Sequence, residues 1–190
     1  MASTEKTSNI SIRELKGADL STELCGVKMQ SPFILSSGPL SYAAEGLIRA
    51  HEARAGAVVT KTIRSEAAEN PVNHIGIVDE DSLINCEKWA DSAPEVWFNR
   101  EIPMAKEAGA VVIASVGHTL PEAEAIVKKC QEAGADMIEL VSYTEETLIP
   151  MLQATKERVS IPVICKLSGN WPDPVATAQR CMENGADAIS

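Results

Sequence analysis

The phrase "EAGADMIELVS", Glu132–Ser142, decides the fold: a helix end runs through a glycine into an apolar strand. It recurs as "RAGAVVTK" from Arg54, "EAGAVVIAS" from Glu107 and "ENGADAIS" from Glu183. Glycine takes the left-handed conformation past a helix C-terminus without steric cost, so each phrase is expected to turn a helix into a strand there. The segments between them have helical spacing. In "LPEAEAIVKKCQEAG" (Leu120–Gly134), Pro121 and Glu122 suit a first turn, and Ala125, Ile126, Val127 and Cys130 form an apolar stripe. "DPVATAQRCMENG" (Asp173–Gly185) repeats the plan, with Asp173 as N-cap and Pro174 at the first helical position.

Strands are therefore predicted near Phe33–Ser37, Ala57–Thr62, Val111–Val116, Met137–Ser142, Val163–Leu167 and Asp187–Ser190. The last four begin about 25 residues apart, the length of a strand and helix with short loops. Alternating β and α with strands buried on both faces leaves an open doubly wound sheet or a (β/α)8 barrel. The sequence stops at "ADAIS", inside its sixth strand. The expectation is an α/β fold, an incomplete (β/α)8 TIM barrel with about six of eight strands. Residues 1–190 would be the N-terminal portion of one domain, with a polar extension over 1–20 and the last two βα units missing.

Composition excludes several function classes. The chain is 45% hydrophobic with a net charge of -10, so it has the apolar content for a core and no excess of basic charge with which to displace counterions from nucleic acid. Cys25, Cys86, Cys130, Cys165 and Cys181 are scattered without a CxxC pair, which argues against a disulfide framework or structural zinc site and fits a reducing cytoplasm. No apolar run approaches the roughly 20 residues of a membrane span, and no signal peptide is read at the N-terminus. A small-molecule substrate is the expected partner.

In barrels of this kind the chemistry sits at the C-terminal ends of the strands. That rule selects Ser36, Ser37 and Gly38 after strand one, Lys61 and Thr62 after strand two, and Ser115, Gly117 and His118 after strand three. It adds Ser142, Tyr143 and Thr144 after strand four, Lys166, Ser168 and Asn170 after strand five, and Ser190 at the end of strand six. A longer insertion without a clear helix, from Asn70 to Trp97, separates strands two and three and is placed over the mouth. Lysines at two equivalent strand ends, "AVVTKT" and "PVICKLSGN", ask for a countercharge. A strand-end carboxylate would serve, and a bound anionic cofactor explains both lysines at once.

Five segments, "SPFILSSGPL", "GAVVTKTI", "NPVNHIG", "SLINCEKW" and "VICKLSGNWPD", resemble successive motifs of the dihydroorotate dehydrogenase superfamily, in the same order and at similar spacing. The superfamily comprises FMN-dependent barrels and includes the catalytic part of dihydropyrimidine dehydrogenase. The resemblance implies an oxidoreductase of pyrimidine metabolism that passes hydride between flavin N5 and a C–C bond conjugated to a carbonyl. By the same resemblance, Ser36, Ser37, Gly38, Lys61, Thr62, Ser115, Lys166 and Ser190 would serve the cofactor. Lys61, Asn85 and Asn170 would meet substrate, and Lys61, Ser142, Tyr143 and Thr144 are the candidates for catalysis. Lys166 beside the pyrimidine edge of the ring would stabilise the negative charge of the reduced flavin. A homodimer, or an electron-transfer partner carrying iron–sulfur and flavin centres, is also implied.

The sequence departs from that pattern at the fourth strand, where the family reads ELNxSCPN and this chain reads "IELVSYTEE": Val141 replaces the asparagine and Thr144 falls near the base. Ser115 stands for another asparagine, and "CEKWAD" replaces a glycine–proline loop. These departures favour a substrate other than dihydroorotate. They also support a degenerate, non-catalytic barrel subunit, and the strand-end Lys166 by itself keeps a Schiff-base lyase open as a further alternative. Without the loops after strands seven and eight, which hold phosphate in such barrels, poor FMN binding or none is expected.

Overall fold

The computed structural model describes residues 18–190. The first seventeen positions of the polar extension lie outside the described residues. An antiparallel hairpin of β1 (Thr22–Leu24) and β2 (Val27–Met29) leads into β3 (Ile34–Leu35), α1 (Ala44–Glu52) and β4 (Ala57–Val59). The insertion then contributes a second hairpin, β5 (Ile75–Asp79) and β6 (Ser82–Asn85). It ends in a helix built of α2 (Pro94–Val96), a π-turn over Trp97–Glu101 and α3 (Ile102–Glu107). The regular alternation follows: β7 (Val112–Gly117), α4 (Leu120–Glu132), β8 (Met137–Val141), α5 (Glu145–Lys156), β9 (Val163–Lys166), α6 (Pro174–Glu183) and β10 (Ala188–Ile189).

All six expected strands form, and they join one parallel sheet in the order β3-β4-β7-β8-β9-β10. Spatial order equals chain order, so every crossover steps the same way. A doubly wound sheet would reverse direction at a switch point. The chain is thus a mixed α/β fold with a curled, half-barrel sheet.

Strand alternation sorts the side chains onto two faces. Val58, Val112, Ala114, Ile138, Leu140, Val163 and Cys165 face the helices and form the larger core with Ile126, Val127, Cys130, Leu148 and Cys181. Ala57, Val59, Ile113, Met137 and Ile164 point to the concave side and pack on Met29 of the β1–β2 hairpin, which covers the lower end of the sheet. Continuing by twos, the concave face carries Lys61, Ser115, Glu139, Val141 and Lys166. It is apolar at the bottom and polar at the top.

The repeated phrase works through two local devices. Gly109, Gly134 and Gly185 have φ of 89, 105 and 94°, as helix-ending glycines should. The first repeat differs: Arg54 takes the left-handed turn at φ 75°, while a Cβ on Gly56 would lie 1.8 Å from the Ser31 carbonyl, so that glycine permits close approach of β3's lead-in. The aspartate of "GAD" then knits strands together. Asp136 Oδ2 accepts from the backbone N–H of Val112 at 2.7 Å and from Lys106 Nζ at 2.6 Å. Asp187 Oδ2 repeats this with Val163 N–H and Lys156 Nζ, both at 2.7 Å.

Asp173 caps α6 as expected, accepting from Ala176 N–H at 2.9 Å. The insertion, expected to lack a helix, ends in one because Trp97 and Ile102 supply a buried face and Pro94 starts the first turn. Glu101, in the π-turn, accepts the Ala44 N–H at 2.5 Å and so caps α1 from another element. Asp79–Ser82, "DEDS", form the turn of the β5–β6 hairpin, with Asp79 Oδ1 accepting from Asp81 N–H at 3.0 Å.

Candidate active site

At the polar end of the concave face, the strand ends and the insertion enclose a cavity of about 300 Å³. Ser37, Gly38, Lys61, Thr62, Asn85 and Lys166 line it, joined by Glu87, Trp89 and Val141. Both lysines open on this one space. Lys61 leaves β4 at the point where the chain bends away, and its N–H is held by the Ser41 carbonyl at 2.8 Å. Its ammonium lies 2.8 Å from Glu87 Oε2 and 3.4 Å from Asp91 Oδ2. The Lys61 and Glu87 side chains are 7% and 9% exposed, so the pair is desolvated and binds the insertion down over the mouth. Lys166 Nζ lies 3.7 Å from Glu139 Oε1. The countercharge for both lysines therefore comes, in the protein itself, from carboxylates of β8 and the insertion.

Below the mouth lies a second cavity of about 300 Å³, where Ser36, Glu139 and Ser190 meet the apolar Val59, Ile113 and Ile164. Burial raises the Glu139 carboxyl above the ordinary glutamate value, and Lys166 and Ser115 oppose that rise. Ser115 is fully buried; its hydroxyl lies 3.3 Å from that of Thr62, which is 3.5 Å from that of Ser37.

The rim is aromatic. Trp89 stacks on Tyr143 with ring centroids 4.0 Å apart and 25° between planes, and His118 stands edge-on to both. Burial, helped by Arg64, lowers the His118 pKa against the opposing Glu122 carboxylate, whose Oε2 is 3.8 Å from Nδ1.

Other candidates fall elsewhere. Ser142 donates to the His118 carbonyl at 3.3 Å and contacts Thr147 Oγ1, while Thr144 Oγ1 lies 3.1 Å from Thr147 Oγ1. Both hydroxyls thus serve the turn that starts α5 and do not line the mouth cavity. Asn170 sits in the exposed turn after β9, its N–H donating to Ser168 Oγ at 3.2 Å. Ser36 and Ser190 face the lower cavity. Glu87, Asp91, Glu139 and Trp89 are not among the residues that the sequence singles out. Glu139 had a usable signal: it is the one charge in the strand "MIELV", at the parity of the inward positions. Glu87 and Asp91 had none, because their partner is chosen by the fold of the hairpin.

Since Glu139 is raised in the folded state, its contribution to stability is present below its unfolded value near 4.5 and is lost as pH rises through the folded value. Glu139→Gln removes that loss. Thermal melts of the two proteins should therefore nearly coincide at acidic pH and diverge in favour of the variant as pH rises above about 4.5.

Two lysines, an amide and hydroxyls thus converge at the C-terminal strand ends of a singly wound parallel sheet, the place where β/α-barrel enzymes carry their chemistry. No family model matches the chain. It is 31% identical over 178 residues to the dihydroorotate dehydrogenase B (NAD(+)) catalytic subunit of Thermoplasma acidophilum, covering 85% of this chain and 58% of that protein. The corresponding subunit of Methanothermobacter thermautotrophicus is 29% identical over 185 residues, covering 90% of this chain and 60% of the relative. The NAD-dependent dihydropyrimidine dehydrogenase subunit PreA of Escherichia coli K12 is 29% identical over 194 residues, covering 90% and 47%. Over most of its length the chain is thus similar, as a divergent relative, to proteins of the dihydroorotate and dihydropyrimidine dehydrogenase group. It spans roughly half to three fifths of the length of these relatives, with shares of 58%, 60% and 47%. No helix among the described residues is long and apolar enough to cross a membrane.

Proposed function

We propose that this chain is the N-terminal part of an FMN-dependent oxidoreductase of the dihydroorotate/dihydropyrimidine dehydrogenase type, acting on a CH–CH bond conjugated to a carbonyl. The observation that carries this reading is the convergence of Lys61 and Lys166 on one mouth cavity with Ser37, Gly38, Thr62 and Asn85. The donor set fits a flat ring edged with carbonyls. Two ammonium groups and two hydroxyls surround the space, and at Gly38 an added Cβ would meet nothing within 4 Å, so the backbone there is open to a ligand. FMN, when bound, supplies a ring that accepts hydride at N5.

The residues of the chain do the rest. Lys166 compensates negative charge gained by the ring, Lys61 holds the lid through Glu87 and Asp91 and reaches ring and substrate, and Asn85 orients a substrate amide or carboxylate. Trp89 lines the mouth and stacks on the exposed Tyr143 at the rim. Of the three hydroxyls considered for proton exchange, that of Tyr143 is the one at the rim, since Ser142 and Thr144 are engaged at the start of α5. In this reading β3 and β10 are the edges at which two further βα units complete an eight-stranded barrel, and the protein works in the cytoplasm with a second copy or an electron-transfer subunit. A Schiff-base role for Lys166 is less well matched, because its side chain is 34% exposed and faces a carboxylate, unlike a lysine desolvated for nucleophilic attack.

FMN titrated into the chain extended by two βα units is expected to lose fluorescence as it binds, and Lys166→Ala to weaken that binding about tenfold or more, the worth of one charge-assisted contact. Extension by two βα units should raise flavin retention. Equal affinity in wild type and Lys166→Ala would count against the reading, and borohydride trapping of a substrate adduct on Lys166 would favour the lyase.

A further inference from the structure

Glu139 is the group on the concave face whose surroundings least suit its charge. Its side chain is 6% exposed, and Oε1 makes no hydrogen bond among the described residues. From β7 it faces Ser115, its register partner; from β9 it faces Lys166; Ile113, Ile164 and Ile189 supply the rest of its walls. Lys166 is the charged group that meets it. That ammonium also lines the mouth cavity, so one cation serves two claimants: Glu139 from below and any bound anion from above. A carboxylate that must share its only countercharge in a desolvated site meets the change by taking a proton. A path exists, because the hydroxyls of Ser37, Thr62 and Ser115 are spaced at 3.5 and 3.3 Å from the mouth down to the residue beside Glu139.

We propose that Glu139 is the proton-uptake residue of this site: when a delocalised oxygen anion in the mouth takes the ammonium of Lys166, Glu139 binds one proton from solvent. An O–H bond forms at the carboxylate and one breaks in hydronium or water; no electrons move in this step. The inference rests on the flavin reading for the identity of the anion. There, the charge left on the ring by two-electron reduction is balanced by a proton stored at Glu139. Glu139 acts through Lys166 and is a positioning residue, not a catalytic one.

The test has two arms. In the unliganded protein, the Glu139 carboxyl is followed by carbon NMR with labelled glutamate and assigned through Glu139→Gln. Lys166→Met, or Lys166→Gln if the first folds poorly, mimics loss of the ammonium and is expected to move the titration midpoint to higher pH. An unmoved midpoint overturns the proposal whatever the ligand. In the second arm, FMN-loaded protein is reduced with dithionite in weakly buffered solution containing a pH indicator. Wild type should take up close to one proton more than Glu139→Gln, and equal uptake overturns the proposal. If the chain extended by two βα units binds no FMN either, the flavin reading falls, while the first arm still decides the coupling between Lys166 and Glu139.

Discussion

Lys61→Met is expected to lower stability by about 3–5 kcal/mol, the cost of leaving buried carboxylates without their cation. Glu87 is 9% exposed and lies 2.8 Å from the ammonium, and Asp91 is 24% exposed at 3.4 Å, so solvent can shield neither fully. Part of the loss should be local. The segment from 64 to 93 is held to the sheet through this cluster, with Asn70 adding a 2.8 Å hydrogen bond to Asp91, so the variant should become sensitive to proteases within it. Urea unfolding with limited proteolysis reads both effects. The triple variant Lys61→Met, Glu87→Gln, Asp91→Asn should recover to within about 1 kcal/mol of wild type, because no charge is left unpaired. A single variant as stable as wild type would mean the cluster is open in solution.

Trp97→Ala is expected to cost about 3–5 kcal/mol, as for other fully buried aromatic side chains. Trp97 is 1% exposed and belongs to the core that joins Leu47 of α1, Ile102 of α3 and Ile126 of α4. The denaturant midpoint should fall with little change in slope, since the same surface is exposed on unfolding. Trp171→Ala provides the control. That side chain is only partly buried against the core and donates to the Tyr143 carbonyl at 3.2 Å, so its loss should cost about 1–2 kcal/mol. A Trp97 variant no worse than the Trp171 variant would contradict the packing described.

The three tryptophans illustrate how far a local reading extends. All three are expected to pack loops, yet Trp97 lies in the central core and Trp89 in a stack at the rim, for the aromatic residue itself does not encode which surface will cover it. The cysteines read more clearly. Cys130 and Cys181 sit on predicted apolar stripes and Cys165 alternates with Lys166, so period alone places all three on the helix side of the sheet. The insertion was less legible. Its hairpin strands are exposed along their whole length, and exposed strands lack the buried alternation that marks a strand in a sequence. The strand-end hydroxyls show the same limit: the position of Ser142 and Thr144 after β8 is evident, but whether a hydroxyl turns to the mouth or to the next helix depends on the partner it finds there.

The sequence by itself determined the repeating strand, helix and glycine plan, the six strands, the inward parity of the two lysines and their place at one end of the sheet. These depend on backbone conformation and on periods of 2 and 3.6, which act within a few residues. Only the tertiary structure decided that Glu87, Asp91 and Glu139 neutralise those lysines and that Trp89, which lines the mouth, stacks on Tyr143. Such pairings join side chains far apart along the chain, and their energies come from shared burial, which no single segment possesses.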